Sequence, residues 1–586
     1  MKKSDFLKRL QQGNVLRFAI SYVAVSWLIL QACSLLFPLF EIGDSYIRLI
    51  FVGLIILFPI WLLLTYLYDF TSEGITKTDQ SALDEETILK SKARLNRTII
   101  TVLCLAIILL ILDRIFIFSG ESGSDLRSIA VIPFSNISGN NAQSYFVDGM
   151  QDELIGTLAM VKDFRITSKT STNQYKKTTK SIQEIAKELS VDAIIEGSVL
   201  LFQNSLRIQI KLIKAFPEEQ TILSQTYDKP LTDALKIYKE VTMDVAEKVK
   251  LMLSDSIKMN LKDAKKVDPI AYDLYLKGRS KLNEITPLSI KQGLSYFEKA
   301  KEIDPKFFGG YSGISSAYLH MMVVGMVNPL KVRDLVMENA QKGVEMDPYS
   351  FEAQSVLANA YVGASYDWEN GEKHFLKSLN INSSESSNNM FYAHLLACLG
   401  RFDEANFYAD RAIVNDPFNP FVFGLGAVVK AASKRYNEAD SLANRSIELD
   451  PSNPFAYAPK NNVSKMLGEE RRSFEEFLTF NKLIGNIELA IKMDSIAKIE
   501  DFKAAYNFGG QYLEKLRKIT YVPPHAIYQI YSKADNTEKV LEWLQKGYEE
   551  RCHDLAYIGI GGFSSEVKND SIYKNLIKKL KIPYAN

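Results

Sequence analysis

Several kinds of residue recur at one fixed interval, and that recurrence restricts the fold more than any other feature. Trp368, Phe402 and Tyr436 are spaced 34 and 34 residues apart, and so are Ser378, Ala412 and Ser446, and Gly371, Ala405 and Ala439. Asp416-Pro417 and Asp450-Pro451 keep the same interval, with Asn382-Ser383 in the slot before them. A unit this short cannot bury its own apolar face, so it must stack on copies of itself. Each unit is expected to be two antiparallel helices. Small residues let the helices approach, an aromatic ring fills the gap, and proline stops the second helix. Upstream, Asp304-Pro305 and Asp347-Pro348 stand 43 apart, an irregular spacing. Between about 455 and 516 the markers fade although helices are still expected. Tyr521 to Pro524 and Val540 to Gly547 predict one more pair.

The amino-terminal 118 residues have another character. Val15 to Phe37, Ile47 to Tyr68 and Thr98 to Phe118 are predominantly apolar runs of 23, 22 and 21 residues. Each is long enough to cross a hydrocarbon core of ~30 Å as a helix. A cleaved signal peptide is not expected for the first run, which is too long for such a segment and is followed by two more. Lys2, Lys3, Lys8, Arg9 and Arg17 precede the first run, and Lys77, Lys90, Lys92, Arg94 and Arg97 follow the second. The connection Glu41 to Tyr46 has no basic residue. Basic residues stay cytoplasmic, so the expected amino terminus is inside and everything after about Glu121 is outside. Gly120 to Asp125 reads as a flexible linker.

Between anchor and array the pattern is mixed. Ser128 to Phe134 reads as a buried strand closed by Pro133. A helix is expected from Asp148, as its cap, to about Met160, with Asp152 and Glu153 at the positive end of its dipole. Phe164 to Thr167 predicts a strand, and Ser181 to Leu189 a helix with Ser181 and Glu184 as a capping box. Strands over 192–201, 206–214 and 221–227 and a helix over 231–253 complete a β-α-β-α-β-β-β-α order.

Three stretches here resemble a known family. Ser128-Ile129-Ala130-Val131-Ile132-Pro133-Phe134-Ser135-Asn136-Ile137-Ser138-Gly139, Tyr145-Phe146-Val147-Asp148-Gly149-Met150-Gln151-Asp152-Glu153-Leu154 and Ile195-Glu196-Gly197-Ser198-Val199 look like the TolB amino-terminal-like (FlgO-like) domain. Tyr22 to Leu28 and Tyr68 to Ile75 are similar to membrane segments often found with it. The resemblance implies a soluble domain followed by tetratricopeptide repeats, whose period the array shares. In many members a cyclase catalytic domain or a winged-helix DNA-binding domain comes first. This sequence holds no residues for either, so those activities are not expected here.

The architecture expected is therefore an anchor of three transmembrane α-helices in residues 1–120, an α/β sandwich domain over 126–255, and an all-α tetratricopeptide-type superhelical array over 268–586 with C-terminal capping helices. The location expected is a bacterial inner membrane, multi-pass, with the large region periplasmic. The first helices of such repeats line a groove. Met390, His394, Phe421, Val428, Asn462 and Lys465 are the positions expected to face it and bind a protein or peptide.

No catalytic role is expected. The sequence has no phosphate-binding glycine loop, no zinc-protease pair and no nucleophile elbow, and Gly559 to Gly562 reads as a turn. His320, His374, His394, His525 and His553 show no metal-ligand spacing. Asp148, Asp152 and Glu153 are accounted for by a helix start. Cys398 and Cys552 are read as buried thiols, with a bridge between them the other possibility. No cofactor, metal or nucleic acid is expected, since Lys+Arg is 70 against Asp+Glu 69 and nucleic-acid binders carry a basic excess. The alternative to an interaction scaffold is a receptor whose α/β domain senses an envelope ligand and acts on a separate cytoplasmic partner.

Overall fold

The computed structural model describes residues 15–39, 68–71, 74–77, 126–138, 144–161, 164–202, 205–249 and 267–582, with isolated positions between 50 and 61. The chain divides into two compact units, Met1–Gly123 and Ser124–Asn586.

In the first unit, helix α1 (Val15–Leu39) covers the first apolar run. The Tyr22 hydroxyl donates to the Leu54 carbonyl at 2.8 Å, and its ring lies 5.5 Å from that of Phe58. Counting only described residues, no helix is long and apolar enough to cross a membrane. Most of the second run, the whole third run and the linker lie outside the described residues. One difference from the sequence reading is a hairpin: β1 (Tyr68–Thr71) pairs antiparallel with β2 (Gly74–Lys77), Phe70 opposite Ile75. Tyr68 therefore starts a strand and does not end a helix.

The second unit begins with a mixed sheet. Its strands are β3 (Ser128–Val131), β4 (Ser135–Asn136), β5 (Arg165–Thr167), β6 (Ala193–Phe202), β7 (Ser205–Lys214) and β8 (Gln220–Pro230), in the order β5-β3-β6-β7-β8, with β4 beside β6. The expected strand over 128–134 ends at Val131, before Pro133, and β4 follows as a separate short strand. All four β3 residues are buried, as a parallel strand covered on both faces requires. In β7, exposed and buried residues alternate from Ser205 to Leu212, so one face of that part of the sheet meets water. Helices α2 (Ser144–Leu158) and α5 (Ala234–Lys248) pack on one side with Phe146, Met150, Leu154, Ile237 and Val241. Beyond the short α3 (Lys169–Thr172), α4 (Ile182–Leu189) covers the other side, and Ser181 and Glu184 form the expected capping box.

The start of α2 corrects an expectation. The helix begins at Ser144, so Asp148 is interior and pairs with Lys176 at 2.7 Å. Phe146, Met150 and Leu154 are all buried. Their i, i+4 spacing carries the helical stripe back past Asp148. Asp152 and Glu153 consequently lie mid-helix, where the dipole does not account for them. The last helix of the domain is also shorter than expected, since a 3-10 turn takes Leu231–Asp233.

From 267 to 582 the chain is a tetratricopeptide-type array of eight helix pairs, from Pro269–Leu282 with Pro287–Ile303 to Pro524–Lys533 with Thr537–Glu549, closed by three short helical segments. Trp368, Phe402 and Tyr436 each open the second helix of a pair, and Glu470 opens the next. The pairs continue through 455–516, where the markers fade. Ser378, Ala412 and Ser446 are wholly buried where the two helices touch. The Ser378 and Ser446 hydroxyls donate to the Phe351 and Pro420 carbonyls, both at 2.6 Å. Alanine at 412 reverses the bond: the Ser386 hydroxyl donates to the Ala412 carbonyl at 2.8 Å. In four successive pairs the turn takes a left-handed residue, Tyr366, Gly400, Lys434 and Gly468, with φ of 55°, 73°, 61° and 80°.

Candidate functional site

Helix α2 lies against the first helix of the array, Pro269–Leu282, which carries Arg279. That guanidinium meets Asp152 at 2.5 Å, Glu153 at 3.1 Å and, from helix Phe351–Ala360, Glu352 at 3.0 Å. The Tyr275 hydroxyl also donates to Glu352, at 3.1 Å. Around this cluster the α/β domain is joined to the array by short polar contacts. Ser168 N donates to the Asn415 carbonyl at 3.0 Å, the Ser384 hydroxyl to the Phe164 carbonyl at 3.2 Å, and Arg165 to the Val414 carbonyl at 3.1 Å. Asp416 accepts from both the amide and the hydroxyl of Ser171, at 3.0 and 2.6 Å. The Asp-Pro that marks a helix stop in the sequence thus also docks a neighbouring domain.

These contacts surround a cavity of about 940 Å³, lined by Asp152, Glu153, Lys169, Arg279, Glu352, Glu385 and Asp416 among others. Burial, with Glu352 alongside, holds the Glu153 carboxyl well above the ordinary glutamate range. Burial, with Asp152 and Asp416 nearby, pushes Glu385 up to about 7. Crowded carboxylates in a poorly hydrated space resist ionisation. The lining holds six acidic side chains, Asp347 included, against the basic Lys169, Lys239, Arg279 and Lys306, an acidic excess that favours a guest bringing positive charge.

Glu385 yields a pH prediction. Its folded value of about 7 lies above its ordinary 4.5, so the folded chain binds more protons and loses stability as pH rises across that interval. Glu385→Gln should remove this loss. Its melting temperature relative to the parent should climb from about pH 5 to about pH 7.5 and then level off. Taking the difference cancels His374 and His394, which burial depresses to about 4 and which act with the opposite sign. A difference that stays flat with pH would refute the assignment.

The six expected groove residues do not form one open surface. Met390 is wholly buried, and His394 is buried with its ring nitrogens 3.0 Å from the Tyr557 hydroxyl and the Leu425 carbonyl. Phe421 is half-buried between Phe391 and Phe455, ring centroids 6.4 and 6.3 Å away. Val428 is also half-buried. Asn462 accepts from Lys533 at 2.9 Å and Lys465 donates to the Ser532 carbonyl at 3.2 Å. At His394 the cover is the carboxyl-terminal segment, whose Tyr557 meets the ring, whereas Phe421 is flanked by neighbouring helices of the array. The Tyr366 hydroxyl donates to the Cys552 carbonyl and Trp368 Nε1 to the Leu580 carbonyl, both at 2.6 Å. Ala556 joins the apolar cluster of Phe375 and Leu395.

Cys398 and Cys552 are both free and buried. His525 Nδ1 lies 3.5 Å from Cys552 Sγ and 3.0 Å from Asp554 Oδ2. One ring nitrogen faces both partners, so the imidazole cannot take the thiol proton on one side while being held on the other. Burial also pushes the Cys552 thiol up to about 12, against nucleophilic use. The sequence carries no metal-ligand spacing here, because His525 and Cys552 stand 27 positions apart across a helix hairpin.

The family model described as HilA/YgeH-like transcriptional regulator, second domain, matches residues 124–244. Over 188 residues the chain is 30% identical to a protein of Rhizobium meliloti named putative adenylate cyclase 3, covering 32% of each chain. Over 183 residues it is 22% identical to the transcriptional regulator HilA of Salmonella typhimurium, 30% of this chain and 32% of that one. The chain thus spans about a third of the length of these relatives. Among solved structures, PilW, a type IV pilus biogenesis factor, aligns at 17% identity and TM-score 0.30 over 37% of this chain and 94% of its own. TTC0263, a tetratricopeptide protein of Thermus thermophilus, aligns at 17% and TM-score 0.29 over 33% and 98%.

Proposed function

We propose that this chain is a membrane-anchored interaction scaffold that holds a protein or peptide partner outside the cytoplasm, with a lysine or arginine of that partner entering the acid-lined cavity. The carrying observation is the composite wall of that cavity. Asp152 and Glu153 come from the α/β domain, while Glu352, Glu385 and Asp416 come from the array. A cationic side chain is complementary to such a wall, and a helical array is suited to holding the rest of an extended segment. In this reading the α/β domain is TolB-like, as its three motifs suggest. The apolar runs 15–37, 47–68 and 98–118 are the anchor, with the amino terminus cytoplasmic. No cyclase or DNA-binding activity belongs to the proposal, since the similarity to relatives with those names covers 32% of their length. The receptor reading keeps one point in its favour: a guest touching both modules would bias how they are held together.

The experiment has two arms. Reporter fusions at Gly43, Gln80 and the carboxyl terminus should read outside, inside and outside; a cytoplasmic carboxyl terminus would remove the location. A photo-crosslinking residue at Tyr349, which lines the cavity and is 65% exposed, should trap a discrete partner in living cells. The same residue at Ile499, 83% exposed elsewhere on the array, should not. Equal capture at both positions, or none at Tyr349, would end the scaffold reading.

A further inference from the structure

We infer that His525, Cys552 and Asp554 form a binding site for a divalent zinc-class metal ion. His525 stands at the start of helix Pro524–Lys533, and Cys552 and Asp554 flank the start of the 3-10 helix His553–Ile560. Their ligand atoms all lie within 4.8 Å of one another. Zinc bound tetrahedrally at ~2.3 Å from sulfur and ~2.0 Å from nitrogen holds those two donors about 3.5 Å apart. The Sγ–Nδ1 separation here is 3.5 Å and the Nδ1–Oδ2 separation 3.0 Å. One thiolate, one imidazole and one carboxylate suit zinc, whereas calcium and magnesium prefer oxygen alone.

The surroundings fit a held ligand set. The Cys552 amide donates to the Gly547 carbonyl at 2.8 Å, and its carbonyl accepts from Leu555 N at 3.1 Å and the Tyr366 hydroxyl at 2.6 Å. The Tyr528 hydroxyl donates to the Asp554 carbonyl at 3.4 Å. Cys552 is buried at 2% exposure, while the His525 and Asp554 side chains keep 18% and 27%. A fourth position is thus left toward solvent for water. The ion would fasten the segment that covers the first helices of the array to helix Pro524–Lys533. On binding, the thiol proton goes to solvent and a metal–sulfur bond forms with no change of oxidation state.

The test uses the full chain, stripped with a chelator and titrated with Co²⁺. One equivalent should produce a thiolate-to-cobalt charge-transfer band with the d–d bands of a tetrahedral ion, and Zn²⁺ should displace it. Cys552→Ser should abolish the charge-transfer band, while Cys398→Ser should keep it. His525→Gln, at a partly exposed position, should weaken Zn²⁺ binding by at least ~10-fold while the metal-free chain still folds; it also serves if Cys552→Ser fails to fold. Absence of a thiolate band in the parent, a band that survives Cys552→Ser, or unchanged Zn²⁺ affinity in His525→Gln would each overturn the site.

Discussion

Replacing Arg279 with alanine is expected to destabilise the second unit by on the order of 3 kcal/mol, at the lower edge of what a stripped buried ion pair costs. Asp152, Glu153 and Glu352 would then face one another without the guanidinium that all three now approach within 3.1 Å. The lower edge applies because these side chains retain 25%, 18% and 22% exposure through the cavity. Arg279→Lys should recover only part of the loss, since a single ammonium cannot address three carboxylates as a planar fork does. Adding Asp152→Asn to the alanine variant should restore part of the stability, because it removes an acidic group from a site that has lost its guanidinium. Urea midpoints of the four proteins decide the matter. An alanine variant as stable as the parent would mean that the cluster is solvated and that the modules are held by their apolar contacts alone.

This cluster was not legible in the sequence. Asp152 and Glu153 read as ordinary residues of a helix start as long as Tyr145-Phe146-Val147 is placed in the loop before it. Once the helix begins at Ser144, the two carboxylates need another partner. Arg279, 126 residues from Glu153, has no local signature. Glu385 and Asp416 sit in inter-helix connections, where Asp and Asn are expected as stops and caps, and a cap that also reaches a second domain leaves no trace in the spacing.

The array was far more readable, since its packing repeats. Small residues at 371, 405 and 439 and at 378, 412 and 446 must recur wherever two helices touch in the same way. A further periodic mark went unread: 366, 400, 434 and 468 all take the left-handed backbone. Gly400 and Gly468 announce that conformation, but Tyr366 and Lys434 accept its strain without announcing it. The sequence markers therefore fade near 455, because Glu470 replaces the aromatic ring at the head of the next helix. The six groove positions raise a different point. Repeat geometry indicates which faces line up, but it does not reveal that the chain's own end will cover them.

That cover separates residues that the 34-residue register treats as alike. Trp368 is 8% exposed, its Nε1 donates to the Leu580 carbonyl at 2.6 Å, and its ring centroid lies 5.8 Å from that of Tyr366. Phe402 and Tyr436, in the same slot, are only half-buried, whereas the register alone predicts three equally buried rings. Trp368→Ala should therefore cost ~3–5 kcal/mol, the range for truncating a buried aromatic, while Phe402→Ala should cost roughly 1–2 kcal/mol in proportion to the area it covers. Trp368→Phe keeps most of the packing and loses the hydrogen bond, for about 1 kcal/mol. The alanine variant should also loosen the segment after about residue 550, read as faster proteolytic clipping there at temperatures where the parent resists. Equal losses at 368 and 402, with unchanged clipping, would show that the fold-back of the carboxyl-terminal segment does not anchor on Trp368.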